Sequence, residues 1–144
     1  MYSSMQNKGK HIALIAGAAA VMVGFGATPA FAEGTFSSTI SGARPGYDSS
    51  SWQDSHNDSK STIVALSNCS LPKSGGLEFD IELKLYDEYG GLPDQSVGTK
   101  ARSSCGSFNW GQMTRSDRYH WNLFALSGST SRVHTLNAKA VTSY

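Results

Sequence analysis

From Leu77 to Tyr86 the chain alternates. Leu77, Phe79, Ile81, Leu83 and Leu85 fall on one parity, and Glu78, Asp80, Glu82, Lys84 and Tyr86 on the other. A strand places successive side chains on opposite faces, so this run predicts a half-buried antiparallel strand with one solvated face. It ends in a cluster of turn formers, Asp87-Glu88-Tyr89-Gly90-Gly91-Leu92-Pro93-Asp94. Gln95 to Cys105 then repeats the period with smaller side chains. Val97, Thr99, Ala101, Ser103 and Cys105 are expected inside. Lys100 and Arg102 are expected outside, where a hairpin would set them against Glu78, Asp80 and Glu82.

The rest of the pattern is also strand-like. Thr62 to Cys69 is β-branched and apolar, as a central strand should be; if Cys69 points inward, so do Ile63, Ala65 and Ser67. Arg118 to Leu126 is apolar and aromatic on both faces, Val133 to Thr142 puts Leu136, Ala138 and Ala140 on one parity, and Gly34 to Ile40 is a thinner strand. No segment after residue 32 sustains a 3.6-residue period. The prediction is all-β, a small antiparallel β-sandwich of six to seven strands. It is not a true immunoglobulin domain, because no Trp lies between the two cysteines; Trp52 and Trp110 flank them instead.

The N-terminus has a different pattern. Lys8 and Lys10 precede a wholly apolar or small run, Ile12 to Phe25, and Pro29-Ala30-Phe31-Ala32 follows. This is the layout of a secretory signal peptide cleaved after Ala32. The run of 14 residues is shorter than the roughly 20 that span a hydrocarbon core. The expected organisation is therefore a signal peptide over 1–32 and one domain over 33–144, secreted to the outside. That domain carries 10 basic and 11 acidic residues, and 21 of its residues are serine. Such a near-neutral surface excludes an electrostatic nucleic-acid binder. In an oxidising compartment, Cys69 and Cys105 are expected to form one disulfide.

Motifs for chemistry are scarce. His56, His120 and His134 show no zinc-ligand spacing, and neither G-x-S-x-G nor H-E-x-x-H occurs. Glu78, Asp80 and Glu82 have the spacing of paired carboxylates, but an amphipathic strand needs polar residues outside in any case. His120, between Tyr119 and Trp121, reads as an ordinary strand residue. No enzyme activity and no cofactor are expected. Asp48, Asp54 and Asp58, with Asn57, lie in a Ser-rich loop and are weak calcium candidates, lacking the D-x-D-x-D-G spacing; the alternative is Asx turns. Tyr89 and Trp110, in loops flanked by Gly and Ser, are candidate partner-binding aromatics, with plugging the open end of the sandwich as the alternative. Phe36 and Ile40, on one face of a Gly/Ser/Thr-rich segment, are candidate anchors for strand addition to another protein, with an ordinary edge strand as the alternative.

Ser51-Trp52-Gln53-Asp54, Leu66-Ser67-Asn68-Cys69, Pro93-Asp94, Cys105, and Trp110-Gly111 before Tyr119 resemble the layout of small exported proteins of filamentous actinobacteria. The chain is similar to the small β-sandwich adaptor of umbrella toxin particles. That resemblance implies a subunit linking lectin-like proteins to a large repeat-bearing toxin. The expected function is thus a secreted, non-catalytic protein-interaction module of the adaptor type, whose partners are one or more exported proteins, with no nucleic acid and no membrane after signal cleavage. The alternatives are a secreted hydrolase inhibitor presenting Gly106–Asp117 and a carbohydrate-binding module using exposed Trp and Tyr.

Overall fold

The computed structural model describes residues 33–72 and 80–144. The expected signal peptide, and the Leu77–Phe79 start of the alternating run, lie outside them. The described residues form strands and no helix: β1 Thr35–Ala43, β2 Tyr47–Asp48, β3 Trp52–Asp54, β4 Thr62–Ser70, β5 Ile81–Glu88, β6 Gln95–Arg102, β7 Ser107–Gly111, β8 Asp117–Leu126 and β9 Leu136–Ser143. They make two antiparallel sheets. One has the order β1-β9-β4-β7; the other has the order β2-β8-β5-β6, with β3 also paired to β8.

The two sheets close on one core, so the fold is a β-sandwich. Val64, Leu66, Phe108, Leu136, Ala138 and Ala140 face Ile81, Leu83, Leu85, Tyr119, Trp121 and Leu123, all buried. Each large aliphatic side chain removed from water there contributes about 1.5–3 kcal/mol. One buried polar contact also crosses between the sheets: the Trp121 indole N–H donates to Thr142 Oγ1 at 3.1 Å. Cys69 and Cys105 are joined, with their Cα atoms 5.7 Å apart. The bond ties the end of β4 to the residues just before β7, its ladder neighbour.

Four expectations about the strands are corrected, two by register and two by where a strand ends or begins. Along β4 the buried side chains are Thr62, Val64 and Leu66, whereas Ile63 and Ala65 are only partly covered. Cys69 nonetheless packs against the core. The ladder shifts between Ser67 and Ser70, where Asn68 takes φ 53°. A bulge exchanges the two faces of a strand, so the parity of Cys69 does not carry back to Ile63.

Secondly, β6 pairs Arg102 with Ile81 and Lys100 with Leu83, while Ala101 and Thr99 oppose Glu82 and Lys84. Lys100 and Arg102 thus occupy the core parity of an exposed edge strand, not the outer face beside the acids. Arg102 donates to the Ser107 carbonyl of β7 at 3.3 Å. Inward charges on an edge strand discourage another strand from pairing there. Thirdly, β5 does not stop at Asp87; it runs on through Asp87 and Glu88, and Asp87 is buried. Val133, expected in the last strand, precedes it and is exposed.

Candidate functional site: a cleft between the sheet edges

β6 ends one sheet and β7 ends the other, on the same side of the sandwich. A bulge interrupts each. In β6, Gly98 pairs with Leu85 and Ser96 with Tyr86, leaving Val97 as the extra residue. In β7, Gly111 pairs with Thr62 and Asn109 with Ile63, leaving Trp110. Gly111 takes φ 78°, a conformation glycine adopts without a Cβ clash. Bulges re-aim side chains, and both extra residues line a cleft of about 310 Å³. Trp110 is fixed over it by its indole N–H, which donates to the Gly98 carbonyl at 3.1 Å.

The cleft also takes in Asp87, Arg115 and Tyr119. Asp87 pairs in register with Tyr119, on the inward parity. Its side chain is 7% exposed, and Arg115 Nη1 lies 3.6 Å from Oδ2, beyond good hydrogen-bond distance. Oδ1 is buried with no hydrogen-bond donor among the described residues. The neighbouring Asp117 carboxyl can meet it only when one of the pair carries a proton, since two ionised carboxylates offer acceptors alone. Burial, and then the Asp117 charge, push the Asp87 carboxyl above the usual carboxylate range. Tyr119, whose hydroxyl donates to the Arg115 carbonyl at 2.9 Å, is pushed up to about 12 by burial, then by Asp87, Asp54 and Asp117.

Arg115 joins the cleft to its rim, where its guanidinium lies 4.3 Å from the centre of the Tyr89 ring. Tyr89 and Leu92 sit in the β5–β6 turn, closed by a Leu92 N–H to Tyr89 carbonyl bond. Tyr89, Leu92 and Val97 are 40%, 56% and 41% exposed. The structure therefore sets Trp110 in the cleft and Tyr89 at its rim, against Arg115. Asp87 and Arg115, which complete it, were not among the expected site residues.

The other candidates lie elsewhere. Ile40 is buried, and Phe36 packs against Trp52 with ring centres 5.8 Å apart. Here the segment is the edge strand given as the alternative: β1 pairs with β9 over most of its length, and both anchors pack on the core. Asp54 and Asp58 each accept a backbone N–H two residues on, from His56 and Lys60, which makes Asx turns. Burial raises the Asp54 carboxyl. Asp48 accepts from Asn122 at 2.7 Å on a different face. Among the described residues, no three or more His, Cys, Asp or Glu side chains are disposed to hold a metal ion. Five of the twelve residues of Gly106–Asp117, expected to be a presented loop, form strand β7.

His120 heads a second polar cluster, on the outer face of the β8 sheet. Its Nδ1 lies 3.1 Å from Glu88 Oε1, Nε2 lies 3.7 Å from Asp48 Oδ1, and its ring stacks on Tyr86. Ser51 Oγ donates to Glu88 and not to the imidazole. A serine nucleophile needs the base itself as its partner, so this is not a Ser-His-acid relay. Compared with known proteins, the chain matches no family model, no curated protein and no solved structure.

Proposed function

We propose that the chain is a secreted, non-catalytic protein-interaction module whose docking surface is the rim of this cleft. The observation that carries the reading is the convergence of Trp110, Tyr89 and Arg115 around one concave site, with exposed Leu92 and Val97 beside them. Trp, Tyr and Arg dominate interface hot spots, and these central anchors work best where a pocket excludes water around them. Three of the large apolar side chains left exposed belong to the β5–β6 hairpin, and clustered exposure of this kind marks interaction sites. The inward Lys100 and Arg102 disfavour strand addition at β6, which leaves side-chain docking at the cleft as the mode. The disulfide supports an oxidising, extracellular setting. The finer form of the reading is an adaptor in an extracellular toxin assembly, as the sequence resemblance implies.

Affinity purification of the tagged protein from culture medium tests this. A stoichiometric exported partner is expected, and Tyr89→Ala with Leu92→Asp should reduce its recovery at least tenfold while the thermal midpoint holds. Undiminished recovery with the rim changed would refute the docking surface.

A further inference from the structure

We infer that the cleft is a receptor for one basic side chain, a lysine or arginine, presented by the partner protein. The inference rests on the docking reading above and adds the chemistry of what enters. Asp87 is the central observation: its side chain is 93% buried, it lines the cleft, and Oδ1 has no donor among the described residues. A buried carboxylate oxygen without a donor has lost its water and gained nothing in exchange, so the site gains when a donor arrives.

Charge decides which donor. Antiparallel pairing gathers inward carboxylates at this end of the sandwich: Asp54 pairs with Asp117, and Asp87 with Tyr119, the next residue of the same face of β8. Asp87, Asp54 and Asp117 all act on the Tyr119 hydroxyl, and Arg115 opposes them. Arg115 is itself divided, since its guanidinium is held against the Tyr89 ring while remaining 3.6 Å from Asp87 Oδ2. A neutral hydroxyl, as on a glycan, would satisfy Oδ1 and leave the excess negative charge. An ammonium or guanidinium group answers both, and an indole ring such as that of Trp110, which lines the cleft, attracts a cation. Among the described residues that line the cleft, Arg115 is the one cation: β6 contributes Gln95, Ser96 and Val97, and β7 contributes Trp110, while Lys100 and Arg102 lie farther along β6, opposite Leu83 and Ile81.

The test is titration of the secreted protein with capped lysine amide and capped arginine amide. Capped glutamine amide and a neutral trisaccharide serve as controls, and amide and indole N–H resonances are followed by NMR. A saturable shift of the Trp110 indole N–H and the Val97 amide is expected with at least one basic probe and with neither control. Asp87→Asn should weaken that binding at least fivefold. Arg115→Gln, which removes the competing guanidinium from a 42%-exposed side chain, should strengthen it a few-fold; should Asp87→Asn not fold, this variant decides alone. No saturable shift, an equal response to capped glutamine, saturation by the trisaccharide, or weakening by Arg115→Gln would each overturn the inference. Loss of the partner in the Tyr89/Leu92 variant without any response to basic probes would refute the basic side chain and leave the docking surface standing. Retention of the partner in that variant would refute the docking surface itself.

Discussion

Replacing both cysteines with alanine should cost about 2–4 kcal/mol, almost all of it through the unfolded state. The Cys69–Cys105 bond spans 36 residues, for which the loss of loop-closure entropy comes to about 4 kcal/mol at 25 °C. The folded side of the cycle changes little, because the bond joins strands already held by a ladder. Ala65 pairs with Ser107, and Leu66 N–H donates to the Gly106 carbonyl at 2.9 Å. In the unfolded chain the same bond closes a loop containing all of β5 and β6, the hairpin that supplies Ile81, Leu83 and Leu85 to the opposite sheet. Against a usual domain stability of about 5–15 kcal/mol, the double variant should remain folded at 25 °C with a much lower urea midpoint. Its m-value should rise, since an uncrosslinked chain exposes more surface on unfolding. A loss below about 1 kcal/mol with an unchanged m-value would show that the unfolded chain is not expanded by reduction, and the loop argument would fail.

Two further outcomes are expected from the buried polar groups. Asp54 and Asp87 are both raised, first by burial, so the folded state binds their protons more tightly than the unfolded state. Their contribution to stability is full below the ordinary carboxylate value and is lost as pH rises through their folded values; urea midpoints from pH 3 to 7 should therefore fall less steeply in an Asp54→Asn/Asp87→Asn variant, and an unchanged slope would contradict the assignment. Thr142→Val leaves the buried Trp121 indole N–H without its acceptor and should cost about 1–3 kcal/mol in denaturant unfolding, with a value under about 0.5 kcal/mol indicating another acceptor.

The fold was legible where the period was unbroken. Ile81, Leu83 and Leu85 are all fully buried, and Leu136, Ala138 and Ala140 share the inner face of β9 as their parity requires. Reading failed at bulges, because one extra residue exchanges the faces and leaves no local trace in composition. Asn68 reversed the inside and outside of β4 relative to Cys69, and Val97 did the same for β6 relative to Lys100 and Arg102. A third shift, between Glu82 and Leu83, leaves Phe124 37% exposed on a strand that is otherwise well buried. Lys84 covers its ring, with Nζ 5.4 Å from the ring centre. The apolar content of β8 on both faces was thus real, but its outward member is sheltered by a lysine stem and not by the core.

The cleft was half legible, for a related reason. Trp110 and Tyr89 stood out as aromatics between small residues, whereas Asp87 was read as a turn former because it is charged. Its parity pointed inside: it continues Ile81, Leu83 and Leu85 without a break. Asp54 likewise follows the buried Trp52 by two residues, and Asp117 precedes Tyr119 by two. Each acid sits where an apolar series reaches a strand end, and each looks unremarkable alone. Antiparallel pairing turns three distant positions into one place, since β3 ends, β5 ends and β8 begins at the same end of the sheet. A core-facing acid in the final position of an apolar parity breaks the in-out rule, and it does so here at the expense of stability toward neutral pH. Departures from local consistency gather at functional sites. Three of them on adjacent strands, beside an aromatic re-aimed by a bulge, set this end of the sandwich apart from the other.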